Sequence, residues 1–244
     1  MAAMMGLLAH RGPDDAGLWE EGEVCLGHQR LAIIDLSPGG HQPMQEGAHV
    51  LVYNGEIYNY RELRRELTEL GATWRSHSDT EVILKGYRAW GEGLLDKVRG
   101  MFALALWDQE RRRLWCARDP FGKKPFYYAR EGGRLVFASE IEAVVAGLGG
   151  RPRLNPEDLA HYLWKGYFPP GRTAYEGIFT LEAGRVLEFT PLKGRLSLRP
   201  FSREVFDLGQ EGRVSREEAL AGLEERLRVA VSRRLVSDVP VGVL

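Results

Sequence analysis

Apolar positions along this chain change rhythm several times, and each change predicts an element. Residues 24–36 form an apolar, β-rich run, and residues 50–53 repeat that character before Asn54-Gly55, a pair suited to a tight turn. Leu63, Leu67 and Leu70 then recur at the spacing of one helix face, with Gly71 as the stop. A second helix is predicted over residues 79–90. Short β-like runs follow at 101–107, 113–117, 125–128 and 135–138, separated by charged, glycine-containing or proline-containing turns, which predicts antiparallel strands.

Polar signals sharpen at Asn155-Pro156-Glu157-Asp158, which reads as an N-cap, a proline at the first helical position and acids in the first turn. Residues 159–165 should therefore be helical, and 171–200 return to short strands and turns. Residues 202–213 are polar and read as a linker. Ser215 with Glu218 then makes a capping box, and Leu220, Leu223 and Leu227 set an apolar stripe on a helix reaching residue 235. Residues 239–244 read as a buried-type strand. Such a strand needs neighbours on both sides, so the chain reads as cut at this end.

Composition narrows the function classes. With 244 residues and 44% hydrophobic content the chain can fill an ordinary globular core, which excludes disordered and fibrous classes. Basic and acidic residues balance at 33 and 34, so no global field draws nucleic acid or an anionic membrane, and neither is expected as a partner. Apolar stretches such as 101–107 fall short of the ~20 residues of a spanning helix, and the start lacks a charged n-region with a cleavage site. A soluble, cytoplasmic protein is expected. Cys25 and Cys116 lie far apart and outside any C-x-x-C pair, and the six histidines lack ligand spacing, so no metal site is expected.

Several longer motifs follow one another: His10-Arg11-Gly12-Pro13-Asp14-Asp15, Gly27-His28-Gln29-Arg30-Leu31-Ala32-Ile33-Ile34-Asp35, Tyr53-Asn54-Gly55-Glu56-Ile57-Tyr58-Asn59 and Ser78-Asp79-Thr80-Glu81-Val82-Ile83. Together they resemble a class II glutamine amidotransferase. Gly100-Met101-Phe102-Ala103, the run from Arg118 to Pro125 and Phe137-Ala138-Ser139-Glu140 are similar to its asparagine synthetase branch. The run from Ser237 to Leu244 resembles the strand that leads, in that family, into a Ser-Gly-Gly-Leu-Asp-Ser pyrophosphate loop. The resemblance implies an α+β, N-terminal-nucleophile fold, a four-layer α-β-β-α sandwich, over residues 1–201. After the 202–213 linker it implies the first helix and strand of an α/β synthetase domain at 214–244.

By the same resemblance, glutamine is the ligand. Asn54 and Gly55 would form the oxyanion hole, through a side-chain amide and a backbone N–H; taken alone the pair reads rather as a hairpin turn, and the flanking Tyr53 and Glu56-Ile57-Tyr58-Asn59 reverse that preference. Arg30 carries a planar fork suited to the α-carboxylate, and Leu31, Ala32, Ile33 and Ile34 would supply backbone and walls. Asp79 and Glu56 would receive the α-ammonium end, with Asp79 also reading as a helix N-cap. Arg118-Asp119-Pro120 and Gly122 read as a rigid turn carrying an ion pair.

Members of the family open with Met-Cys-Gly-Ile, and the cysteine becomes the nucleophile, whereas this chain opens Met1-Ala2-Ala3-Met4-Met5. The nucleophile is therefore expected to be missing, along with a first strand, and the chain to be inactive as written. Cys25 and Cys116 are poor substitutes, because the base in this fold is the chain's own α-amine. The parent reaction implied is hydrolysis of glutamine, with its ammonia passed to an aspartate activated by ATP and Mg2+ in a further domain. No cofactor is expected within residues 1–244, and a homodimer is compatible with the family. Two rivals remain: a catalytically inactive glutamine-binding or regulatory module, and an amidotransferase acting on another carboxylate.

Overall fold

The computed structural model describes residues 1–201 and 215–242. The predicted linker and the last two residues of the predicted terminal strand lie outside these residues. At the centre is a six-stranded antiparallel sheet in the order β11-β10-β6-β5-β4-β3, built from β3 (Met44–Glu46), β4 (His49–Ile57), β5 (Gly100–Asp108), β6 (Arg113–Arg118), β10 (Arg185–Thr190) and β11 (Arg195–Pro200). Successive strand residues face opposite sides, so β5 sends Phe102, Leu104 and Leu106 to one core and Ala103, Ala105 and Trp107 to another. Burial on both faces explains why these strands read as continuous apolar runs instead of alternating ones.

The first face is covered by α2 (Tyr60–Glu69) and α3 (Asp79–Trp90), whose Leu63, Leu67, Val82 and Ile83 pack on Leu51, Tyr53 and Trp115. A short helix, α4 (Leu94–Lys97), follows α3 and adds Leu94 and Leu95 to the same core. Against the second face lie a hairpin of β1 (Asp15–Glu21) and β2 (Val24–Arg30) and a three-stranded sheet, β8-β7-β9, made of β7 (Tyr127–Glu131), β8 (Arg134–Ala138) and β9 (Ile178–Thr180). Beyond the three-stranded sheet, α1 (Ala2–Leu7) and α5 (Ile141–Leu148) close a third core with Ala129, Ala143, Val144 and Met4. The layers run helix, sheet, sheet, helix. The second sheet layer is in two pieces, and β2 and β8 both line an apolar cavity of ≈ 620 Å³ between them, floored by Trp107 and Phe126.

Several local expectations are corrected. Asn54-Gly55 is no turn: it lies inside β4, opposite Ala103 and Phe102. Gly55 is needed there because a Cβ would stand 2.2 Å from the Met101 carbonyl oxygen. Tertiary pairing over nine residues overrides the turn preference of the pair. The run predicted for 24–36 stops being strand at Arg30, and Asp35 adopts φ 56°, which breaks any extended continuation. Residues 239–242 belong to no strand.

α6 (Pro156–Lys165) is capped by Asn155 as its sequence predicts, with Asn155 Oδ1 accepting from the N–H groups of Glu157 and Asp158 at 3.0 and 3.2 Å. α7 (Arg216–Arg234) starts with the predicted capping box, but Leu220, Leu223 and Leu227 on its apolar stripe stand exposed. At the end of α7 Arg234 sits over the Tyr58 ring, and past the helix Val236 packs against the core that includes α3.

Candidate functional site

A cavity of ≈ 210 Å³ opens where the end of β2, the outer edge of β4 and the start of α3 converge. All of Arg30, Leu31, Ile33, Ile34, Asn54, Gly55, Glu56 and Asp79 line it, and Ala32 lies in the same loop. Arg30 is the innermost cation, 7% exposed. Its Nη1 donates to the Ser37 carbonyl at 3.0 Å, and its Nη2 to the carbonyls of Ile34, at 3.4 Å, and Asp35. A Cβ on Gly40 would fall 1.9 Å from Nη2, so the guanidinium needs glycine at that position.

The loop that Arg30 grips is tied down at other points. Ala32 N–H donates to Asp14 Oδ2 at 2.8 Å, while the Asp35 carboxylate accepts from Ser37 and from His77 N–H at 2.7 Å. These ties fix the loop's carbonyls toward the guanidinium. Both Nη2 hydrogens are thereby engaged, which corrects the fork expected of Arg30: a two-pronged grip through Nη2 is closed, and Nε–H with one Nη1–H stay outside these bonds. No carboxylate neutralises Arg30 within salt-bridge distance among the described residues, so its direct partners are carbonyl dipoles, with the Asp15 charge acting from further away.

β4 supplies the opposite wall. Backbone N–H groups two residues apart in a strand point to the same edge. Tyr53 N–H is taken by Gln42 Oε1 at 2.7 Å and Ile57 N–H by Asp79 Oδ2 at 2.9 Å. Gly55 N–H lies between them on that edge, beyond the end of β3, and no hydrogen bond engages it or the Asn54 side-chain amide among the described residues. Two donors one residue apart, one backbone and one side chain, are thus left open to the cavity.

Charges around these donors are shaped by burial. Asp79 is held by Ile57 N–H and by the Tyr53 hydroxyl at 2.9 Å, yet burial raises its carboxyl above the ordinary range, an effect those bonds only partly offset. Burial also raises Glu56, opposed by the charge of Lys124 and reinforced by Asp79. Lys124 is lowered by burial and raised by Glu56. Burial, then the Arg30 charge, pushes His28 down to about 4, so this lining imidazole is neutral near pH 7. The helix cap expected of Asp79 belongs to Ser78, whose Oγ accepts from Thr80 N–H at 3.1 Å; Asp79 instead turns its carboxylate to β4.

Lys124, Tyr53, Gln42 and His28 are lining residues that the sequence reading assigned no role. Lys124 belongs to a quoted motif, but its approach to Glu56 depends on a loop joining β6 to β7 and leaves no periodic signal. The Arg118 turn is structural, with a correction: Arg118 and Asp119 make no ion pair with each other. Arg118 donates to the carbonyls of Lys124, Leu181 and Gly122, each at 2.6 Å, while buried Asp119 accepts from the N–H groups of Phe102, Phe121, Lys123 and Lys124.

Neither cysteine reaches this cavity. Cys25 is pushed up to about 11 by burial and by its bond to Glu20, and burial alone pushes Cys116 up from the ordinary thiol range. No group of three potential metal ligands gathers among the described residues, and no described helix is long and apolar enough to cross a membrane.

Residues 1–201 match the profile of the glutamine amidotransferase domain. Among curated proteins, the chain is 37% identical over 257 residues to the glutamine-hydrolysing asparagine synthetase 3 of Bacillus subtilis strain 168, covering 99% of this chain and 39% of that protein. A putative asparagine synthetase of Mycobacterium tuberculosis H37Rv is 38% identical over 97% of this chain and 38% of its own length. The chain therefore spans about two fifths of these relatives. Among solved structures, the glutamine phosphoribosylpyrophosphate amidotransferase from B. subtilis, complexed with ADP and GMP, superposes with a TM-score of 0.61 at 20% identity, over 83% of this chain and 46% of that one. That likeness is one of fold, the N-terminal-nucleophile sandwich.

Proposed function

The chain belongs to the glutamine amidotransferase domain family, and on that premise we propose that the 210 Å³ cavity binds free glutamine. The observation that carries this reading is the pair of open donors, the Asn54 amide and Gly55 N–H, beside a buried arginine that has no carboxylate partner among the described residues. In this arrangement the α-carboxylate meets Arg30 through Nε–H or the remaining Nη1–H, with Ile33 and Ile34 as apolar walls. The α-ammonium lies against Asp79 and Glu56, whose raised pKa values fall when a cation arrives. Asn54 and Gly55 polarise the side-chain carbonyl, the place where negative charge grows when that amide is attacked.

Attack itself requires a thiolate, and neither thiol of this sequence lines the cavity. The chain on its own therefore binds glutamine without turning it over. In the larger enzyme the same pocket would release ammonia to a synthetase unit that begins near residue 214, where aspartate is amidated with ATP and magnesium. Similarity to asparagine synthetases supports that acceptor. None of the cavity residues is assigned to those later substrates.

Calorimetry on the chain with glutamine tests the reading. Heat fitting one site is expected, abolished by Arg30→Ala, with no ammonia release. Absence of heat at millimolar glutamine sinks the proposal, and glutamine-dependent ammonia release by the chain sinks its account of the two thiols.

A further inference from the structure

Asp238, in the segment after α7, touches the cavity loop at two consecutive peptide units. Its Oδ2 accepts from Asp35 N–H at 2.8 Å, and its own N–H donates to the Ile33 carbonyl at 2.9 Å. The Asp35 N–H and the Ile34 carbonyl are the two ends of one planar peptide unit. Arg30 Nη2 donates to that same carbonyl. A single peptide plane thus stands between the Asp238 carboxylate and the Arg30 guanidinium. An anion accepting at the N–H end also makes the carbonyl end a better acceptor.

We infer that Asp238 is a positioning residue for the glutamine cavity, through which the segment following α7 sets how Arg30 is held. The inference deepens the glutamine reading and rests on it for its ligand. Among the described residues, the loop's other side-chain ties come from Asp14, Arg30, Asp35 and Ser37, all within residues 1–201, and Asp238 alone brings in chain from beyond the linker. Asp238 is itself fixed in a bend, where Ser237 Oγ donates to the Val239 carbonyl at 2.9 Å and accepts from Val239 N–H at 3.1 Å. Val236 anchors the same segment in the core below α3. Coupling of this kind runs both ways: whatever shifts residues 236–239 changes glutamine affinity, and glutamine in turn tightens the hold on Asp238.

The test compares Asp238→Ala with Asp238→Asn in the full chain, titrating each with glutamine and with glutaminol, which lacks the α-carboxylate. Because Asp238 acts through Arg30, Asp238→Ala should weaken glutamine roughly three- to tenfold, as expected for one charge-assisted hydrogen bond at an exposed acid. Glutaminol binding and the melting temperature should stay unchanged. Asp238→Asn keeps an oxygen for Asp35 N–H and should restore most of the affinity. Equal glutamine affinity in Asp238→Ala, or equal losses for both ligands, overturns the inference. If the parent chain binds neither ligand, the glutamine reading fails instead, and amide exchange then decides the positioning role alone. Faster exchange at Asp35 in Asp238→Ala but not in Asp238→Asn supports it, and unchanged exchange overturns it.

Discussion

Arg30 and Arg118 each donate to three backbone carbonyls, yet their surroundings differ in what is left over. Around Arg118 everything closes: its donors hold one turn together, and the adjacent Asp119 absorbs four backbone N–H groups at no exposure to solvent. Around Arg30 the accounting stays open, with the Asn54 amide and Gly55 N–H facing a cavity and, among the described residues, no carboxylate against the guanidinium. The same residue types therefore serve architecture in one place and, in the function proposed above, recognition in the other. Saturation of hydrogen-bonding capacity, not residue identity, separates them.

The sharpest way to break this contrast is Asp119→Ala. It leaves buried N–H groups without an acceptor and should cost at least ~3 kcal/mol of stability, read by urea unfolding. A loss under ~1 kcal/mol would mean that the turn is not held by Asp119. Next in size is Gly40→Ala, whose new Cβ displaces the Arg30 guanidinium. Glutamine affinity should fall at least tenfold, with a melting shift of a few degrees, about as expected for overpacking. Retained affinity would show that Arg30 need not sit where it does.

Asn54→Ala removes an open donor and should behave oppositely to Asp119→Ala. Stability stays within ~0.5 kcal/mol while glutamine binds roughly three- to tenfold more weakly in calorimetry. A large stability loss would show that the amide is structural. The smallest effect concerns pH. Burial raises Glu56 above its ordinary 4.5, so the folded state holds that proton more firmly than the unfolded state does. Stability from this group is present below 4.5 and is lost as pH rises through the raised folded value. Glu56→Gln removes the loss, so its melting temperature should gain on the parent between about pH 4 and about pH 7. A constant difference across that range would refute the raised carboxyl.

Much of the architecture could be read before any coordinates, and the successes share a cause. α3 spans Asp79–Trp90 as predicted, α6 starts at its Asn155 cap and α7 at its capping box, because helix ends are written in local side chains. β4, β5 and β6 of the central sheet were legible from apolar runs, whereas the short β3 was not. What escaped depends on partners distant in sequence. Asn54-Gly55 reads locally as a turn and becomes strand only because β5 pairs along all of β4. Ser78 and not Asp79 caps α3, since Asp79 is drawn to Ile57 N–H across the cavity. α5 was missed altogether: residues 141–148 carry neither a capping residue at the start nor a clear polar face, and α1 and β7 cover them from outside the segment.

For the cavity, family likeness named the lining residues and geometry placed them together, but no pattern in the letters foretold Lys124, or that Arg30 would face carbonyls. Such arrangements are properties of loops meeting in space.

The split second layer also bears on how the molecule behaves in a tube. β2 and β8 present margins of sheet, Val24 to His28 and Arg134 to Ala138, above an oily floor and with few charges to repel a visitor. Bare margins of that kind template the addition of further strands from neighbouring molecules. At high concentration, association through these margins is the expected outcome, read as a thioflavin signal that grows with protein concentration.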